Sequence, residues 1–243
     1  MAENKIKQES TYQNLSSTTL FNFTDSFSHL VSNLENGFYC GELYEKLPFK
    51  SRAAGYRVAM VCFCDIPLGQ IKEHLGWYGN FAIGIRREYA RTYGINPVWY
   101  MHTDNIVLKK MFSHKDKSLL NESPILPYIK RFLGKQKDVS GQNKMKKFYD
   151  EREWRYIPQN KDFRVELITN GTHIENEKIV ESTKKVTHMP LKLDTIEYII
   201  VDNDENKKEL YKVLKNLSKK DKSVTYEDLV SSILTCSQIR KDF

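Results

Sequence analysis

A chain of 243 residues, 40% of them hydrophobic, can bury a sizeable core and fits one large domain. Its formal charge of +7 permits an acidic partner, but the lysines are divided between a loop and the last third of the chain, which excludes one continuous basic block. Met1 to Ser10 is too polar for a signal peptide, no stretch approaches the roughly 18 to 20 apolar residues of a membrane span, and the cysteines lack the paired spacing of a disulfide framework.

The expectation is therefore a soluble, cytoplasmic protein with reduced thiols and no membrane partner. In chain order, residues 1–18 read as a flexible N-terminus. Thr19 to Phe23 is an apolar strand candidate, and Thr24, Asp25 and Ser26 offer helix N-caps directly after it. Phe27, Leu30, Val31 and Leu34 follow at helical spacing up to Gly37, a left-handed C-cap. Residues 38–56 predict an irregular exposed loop, because Gly41, Pro48 and Gly55 interrupt any period. Tyr56 to Cys64, YRVAMVCFC, is the most apolar run and predicts a central strand.

Asp65 can cap a helix begun by Pro67, striped by Leu68, Ile71 and Leu75 and stopped by Gly76. Phe81 to Ile85 predicts a second strand, Arg86 to Tyr93 a helix ended by Gly94, and Val98 to His102 a third strand. Residues 104–133 predict a helical insertion, and 134–147 a mobile, Lys-rich connector. Phe163 to Ile168 alternates apolar and polar residues up to the turn pair Asn170 and Gly171. Thr195 to Val201 predicts another buried strand, and Asp202 to Asp204 caps a helix striped by Leu210, Val213, Leu214 and Leu217. Thr225 to Ile239 predicts one further helix. Short strands with intervening helices point to a single α+β domain over 19–243, with a mixed, mostly antiparallel sheet flanked by helices.

The stretch Phe148 to Pro158, FYDEREWRYIP, sets acids, bases and aromatics on one expected strand. With a side-chain period of two, Glu151, Glu153 and Arg155 share one face and Arg152, Trp154 and Tyr156 the other. A buried aromatic face would hold the two carboxylates rigidly, suited to binding a ribose or managing a proton. The alternative is the salt-bridged, solvated side of an ordinary strand.

Other chemistries lack their residues. Gly79 and Gly84 have the spacing of a phosphate-binding loop, but Ile85 and Arg86 stand where Lys and Ser or Thr are required. Cys62 and Cys64 share a strand face without a second pair to complete a metal site. The histidines are scattered, His102 at a strand end being the one worth following, and no nucleophile elbow exists.

Three stretches together, LFNFT with its helix, MVCFCDIPLGQIKEHLGWYGNFAIGI and FYDEREWRYIP, resemble the AbiGi family of bacterial abortive-infection proteins over nearly the whole chain. Members of that family are commonly described as the antitoxin of a two-gene phage-resistance system whose partner is a nucleotidyltransferase-like toxin. The resemblance thus implies phage defence, with a toxin or phage protein as partner. A more distant resemblance runs to the ADP-ribosyltransferase fold. It implies that Glu153 is the catalytic glutamate of an E-x-E motif, stabilising charge as nicotinamide leaves, and that Glu151 handles the acceptor. Asn22 would then stand at the ribose and Thr24 among the substrate-binding residues, with Cys62, Phe63 and Tyr78 lining the pocket and Arg155 holding a carboxylate or phosphate. NAD is the substrate that such a site would take, and no cofactor or metal is required. Asn22 stands where such enzymes carry His, a departure that leaves three readings open: a degenerate NAD-type site, a non-enzymatic antitoxin or sensor, and nucleic-acid binding through the lysines.

Overall fold

The computed structural model describes residues 17–47, 53–103, 105–111, 124–158, 165–169 and 187–242. Residues 1–16, 112–123 and the expected turn at Asn170 and Gly171 lie outside these. The chain enters on β1 (Thr19–Thr24) and turns at once into α1 (Phe27–Asn36). Ser26 caps that helix by accepting the His29 N–H, and Gly37 ends it at φ 85°. The expected loop over 38–56 is instead largely extended. β2 (Phe38–Tyr39) and β3 (Gly41–Lys46) precede the long β4 (Ala53–Cys64), and β3 pairs with β4 from Gly41 opposite Met60 to Lys46 opposite Gly55. The glycines that broke the sequence period serve the pairing: a Cβ on Gly55 would stand 2.3 Å from the Glu45 carbonyl oxygen.

Asp65 does not cap the next helix. Its carboxylate accepts the Ser17 N–H and pairs with Arg87, while a 3-10 turn at Leu68–Gln70 leads into α2 (Lys72–Tyr78). That helix runs past Gly76 and stops at Gly79, at φ 107°. β5 (Phe81–Arg86), α3 (Arg87–Thr92), β6 (Asn96–Pro97), β7 (Trp99–Met101) and α4 (Ile106–Met111) follow.

The expected insertion is helical at α4, but its far end is β8 (Ile129–Arg131), parallel to β7. The expected mobile connector is a docked hairpin of β9 (Leu133–Lys137) and β10 (Asn143–Lys147). Its turn is ordered by Asp138, whose carboxylate accepts from Ser140 N at 2.9 Å and Gln142 N at 3.0 Å, with Gly141 at φ 78° supplying the left-handed position. β11 (Glu153–Tyr156), β12 (Glu166–Thr169), β13 (His188–Met189) and β14 (Ile196–Val201) complete the middle of the chain.

α5 (Asp204–Lys220), capped by Asn203, buries Leu210, Leu214 and Leu217. The expected last helix is broken into α6 (Tyr226–Ser231), β15 (Ile233–Thr235) and α7 (Cys236–Asp242), because Ile233 to Thr235 adds a parallel strand beside β14.

The fold is α+β. Its principal sheet runs β15-β14-β5-β1-β4-β11-β6, with β3 and β12 also on β4, and it is antiparallel except at β14-β15. Alternation decides which helices cover which face. Leu20, Phe63, Ile83, Ile199 and Val201 meet Leu30, Leu34, Leu210 and Leu214 of α1 and α5, while Phe21, Ala82 and Ile200 meet Leu75 and Ile239 of α2 and α7. On this second face the β4 end of the sheet is covered by Leu126 and Ile129, next to Tyr56, Val58 and Met60.

Candidate functional site

β11 alternates as its sequence predicts, but the burial is reversed from a solvated charged side. Trp154 and Tyr156 pack against the α1 and α5 core, and Glu153 and Arg155 project from the second face at 3% and 0% exposure. Glu151 is not on the strand. It sits in a 3-10 turn, Phe148–Glu151, and Arg152 at φ 46° and ψ 49° reverses the chain into β11. The left-handed residue nonetheless brings Glu151 back to the same cluster.

Two lysines join these groups. Lys130, on β8, places its ammonium 2.8 Å from Glu151 Oε2, in contact with Glu153 Oε2 and 3.8 Å from Glu45 Oε1. Lys146, on β10, lies 2.7 Å from Glu151 Oε1, donates to the Tyr78 hydroxyl at 2.9 Å, and sits 4.4 Å from the Trp77 ring centre. Tyr78 in turn donates to Glu151 Oε1. Arg155 donates from Nε to Glu153 Oε1 at 2.7 Å, from Nη2 to Glu45 Oε1 at 2.6 Å, and from Nη1 to the Pro127 carbonyl at 2.6 Å. Tyr100 accepts the Glu153 backbone N–H at 2.7 Å. Among the described residues Glu45, Glu151 and Glu153 thus meet Lys130, Lys146 and Arg155, a formally neutral set.

Burial and pairing oppose one another at Glu153, Lys130 and Lys146. Burial would raise the Glu153 carboxyl, and Arg155 and Lys130 overturn that, holding it well below the usual carboxylate range. Burial would lower Lys130, and Glu153 and Glu151 hold it well above its ordinary value. Lys146 ends lowered, since burial outweighs Glu151. Tyr78 is pushed far up by burial and then by Glu151, so its hydroxyl keeps its proton.

Of the expected site residues, Glu151, Glu153, Arg155 and Tyr78 converge. Asn22 and Phe63 do not join them, because both lie on the opposite face of the sheet. Asn22 donates to the Cys62 carbonyl at 2.9 Å and accepts from Asn33 of α1, and Phe63 packs edge-on against Phe38 at 5.1 Å. Cys62 faces the charged side, its thiol raised by burial and by Glu153. Thr24 is elsewhere again, in a shallow cleft of about 410 Å³ walled by Phe23, Thr24, Asp25, Trp77, Tyr78 and Val139. Tyr78 is the link between that cleft and the charged set.

Sequence reasoning missed Lys130, Lys146, Glu45, Tyr56 and Tyr100. A signal existed for the first: in YIKRF, Lys130 lies next to Ile129 and two residues from Tyr128 and Phe132, where a lysine turned inward needs a buried counter-charge. The others become members only through strand pairing.

Among the described residues, no helix is long and apolar enough to cross a membrane. No group of three or more His, Cys, Asp and Glu among them is placed to hold a metal ion. The sequence model of a family described as "Putative abortive phage resistance protein AbiGi, antitoxin" matches residues 39–202. The chain belongs to the AbiGi family. It is similar to the abortive phage resistance protein AbiGi of Lactococcus lactis subsp. cremoris, with 27% identity over 247 residues, covering 86% of this chain and 96% of that protein. No solved structure matches it. The AbiGi match spans every member of the charged set, from Glu45 to Arg155, and leaves α1 and α5 to α7 outside.

Proposed function

We propose that this AbiGi-family chain is the antitoxin of an abortive phage-resistance system and acts by binding a partner toxin, with the charged set as a structural clamp. The observation that carries this reading is the engagement of Glu153: both oxygens are bound by cations, the residue is 3% exposed, and Asn22 lies across the sheet from it. A carboxylate so held has no open side from which to meet a ribose. Family membership supplies the defence context. The test is co-expression with the toxin of the same system: the chain should co-purify with it and relieve its growth arrest, and Glu153→Gln protein that remains folded should do the same. A chain that leaves the arrest untouched would overturn the reading.

The cleft favours a second reading, an NAD-type site on an ADP-ribosyltransferase-like sheet. Thr24 and Tyr78 stand in its wall, with Glu151 bound to Tyr78 behind. Incubation of the purified chain with NAD, following nicotinamide release, decides between them. Release that is lost in Glu151→Gln would put the enzyme reading first.

A further inference from the structure

The outer face of the β9-β10 hairpin and the rings beside it form a surface that the charged set does not use. Directly opposed residues of an antiparallel pair point the same way, so Leu133, Lys135 and Lys137 share a face with Lys147, Met145 and Asn143, and all six are exposed. The opposite face carries Gly134 and Lys146, both buried, and towards the turn Gln136 and an exposed Lys144 that pairs with Asp138. Next to the exposed face runs a series of rings. His102 stacks on Phe132 with centres 4.3 Å apart and planes at 25°, Phe132 stacks on Tyr149 at 5.5 Å and 27°, and Tyr149 meets Tyr100 edge-on. His102 is exposed and Tyr149 is 53% exposed, so the stack opens to water instead of closing a core. Lys147 joins ring and charge, its ammonium 5.8 Å from the Phe132 ring centre and 5.7 Å from that of Tyr149. The acid beside it, Asp150, pairs with Lys147 at 2.9 Å.

We propose that this face binds single-stranded nucleic acid, bases stacking on His102 and Tyr149, the exposed rings on either side of Phe132, and phosphates following Lys135, Lys137 and Lys147. Exposed rings at the ends of a near-parallel stack extend it for any unpaired base, and a row of lysines beside them tracks the backbone. A duplex hides its base faces and gains only the charge term, so single strands are favoured. Lysines also lie on α5, but the His102, Phe132 and Tyr149 stack with exposed outer rings lies beside the hairpin.

Fluorescence anisotropy with labelled 12-nucleotide oligouridine and oligothymidine, against a duplex of equal length, tests this with the full chain. Both single strands should bind more tightly than the duplex, and three phosphate contacts predict about a 20-fold loss between 50 and 200 mM salt. Tyr149→Ala and His102→Ala should each weaken binding roughly 10-fold or more, and Tyr149→Phe should retain it. Lys135→Glu with Lys137→Glu should abolish it, whereas Lys208→Glu with Lys212→Glu on α5 should leave it near the parent value. Melting curves establish that each variant is folded. No binding at 50 mM salt, equal binding of the duplex, or equal losses from the two lysine pairs would overturn the proposal. Protection of Tyr149 by a protein partner with no oligonucleotide binding by the free chain would also overturn it and assign the face to that protein.

Discussion

Arg155 is wholly buried, and its guanidinium bridges Glu153, Glu45 and the Pro127 carbonyl, so the consequences of losing Glu153 fall first on a cation with nowhere to go. Glu153→Gln removes the charge opposite both Arg155 and Lys130, and breaking a buried pair in this way destabilises by about 3 to 5 kcal/mol. The expected result is a lower urea midpoint, with phage protection falling only as the folded fraction falls. An unchanged midpoint with lost protection would restore a catalytic carboxylate. The folded-state pKa of Glu153 lies below its unfolded value, so its stabilisation is complete above about pH 4.3 and is lost as pH falls through the folded value. His74 acts in a different window. It is 6% exposed, neither ring nitrogen has a hydrogen-bond partner among the described residues, and burial followed by Lys146 lowers its pKa to about 4. Between about 4 and about 6.5 the unfolded chain binds the extra proton, so stability rises with pH across that range and is flat above it. Lowering pH from 7 to 5 should cost about 2 kcal/mol through His74. In His74→Leu that part of the pH dependence of the denaturation midpoint should disappear, and a slope identical to the parent's would refute it.

Two elements show how local chemistry is fixed by its neighbours. Gly79 ends α2 at φ 107°, and a Cβ there would stand 2.5 Å from the Thr24 carbonyl oxygen and 2.5 Å from Asp25 Cα, so the helix end is seated directly on the turn after β1. Gly79→Ala therefore meets a left-handed strain and a backbone clash together and should destabilise by about 1 to 3 kcal/mol, read as a lower melting temperature. A chain melting like the parent would mean that this turn yields. The β9-β10 hairpin is held by Lys146, which reaches from its buried face to Glu151 and Tyr78. Limited proteolysis should spare 135–147 in the parent chain and cut there first in Lys146→Ala, whose hairpin loses that anchor. Composition pointed to a mobile connector here because lysine and glycine carry no apolar period. What orders the segment is an Asp138 turn and one buried ion pair, which composition does not report.

At the scale of the molecule, β4 is the axis: β1 and β11 pair along its second half, β12 along its first, and β3 across its middle from Gly55 to Met60. Val61, 3% exposed, faces the α1 and α5 core from that axis. Val61→Asp should leave no folded protein by circular dichroism, since an unpaired buried charge costs several kcal/mol against a total stability of about 5 to 15. A cooperative melt would contradict it. The sequence by itself determined the strands at Thr19, Tyr56, Phe81 and Ile196, the helices with clear stripes and caps at Phe27 and Asp204, and the alternation along β11, because period and capping are written in neighbouring residues. The family was legible for the same reason, in contiguous stretches. Tertiary structure alone decided that the charged side of β11 is buried, that Glu45, Lys130 and Lys146 close around it, and that Asn22 lies across the sheet from Glu153. Those facts depend on which strands pair and which face each layer covers. Residues 110 positions apart, as Glu45 and Arg155 are, leave no local period from which their contact could be read.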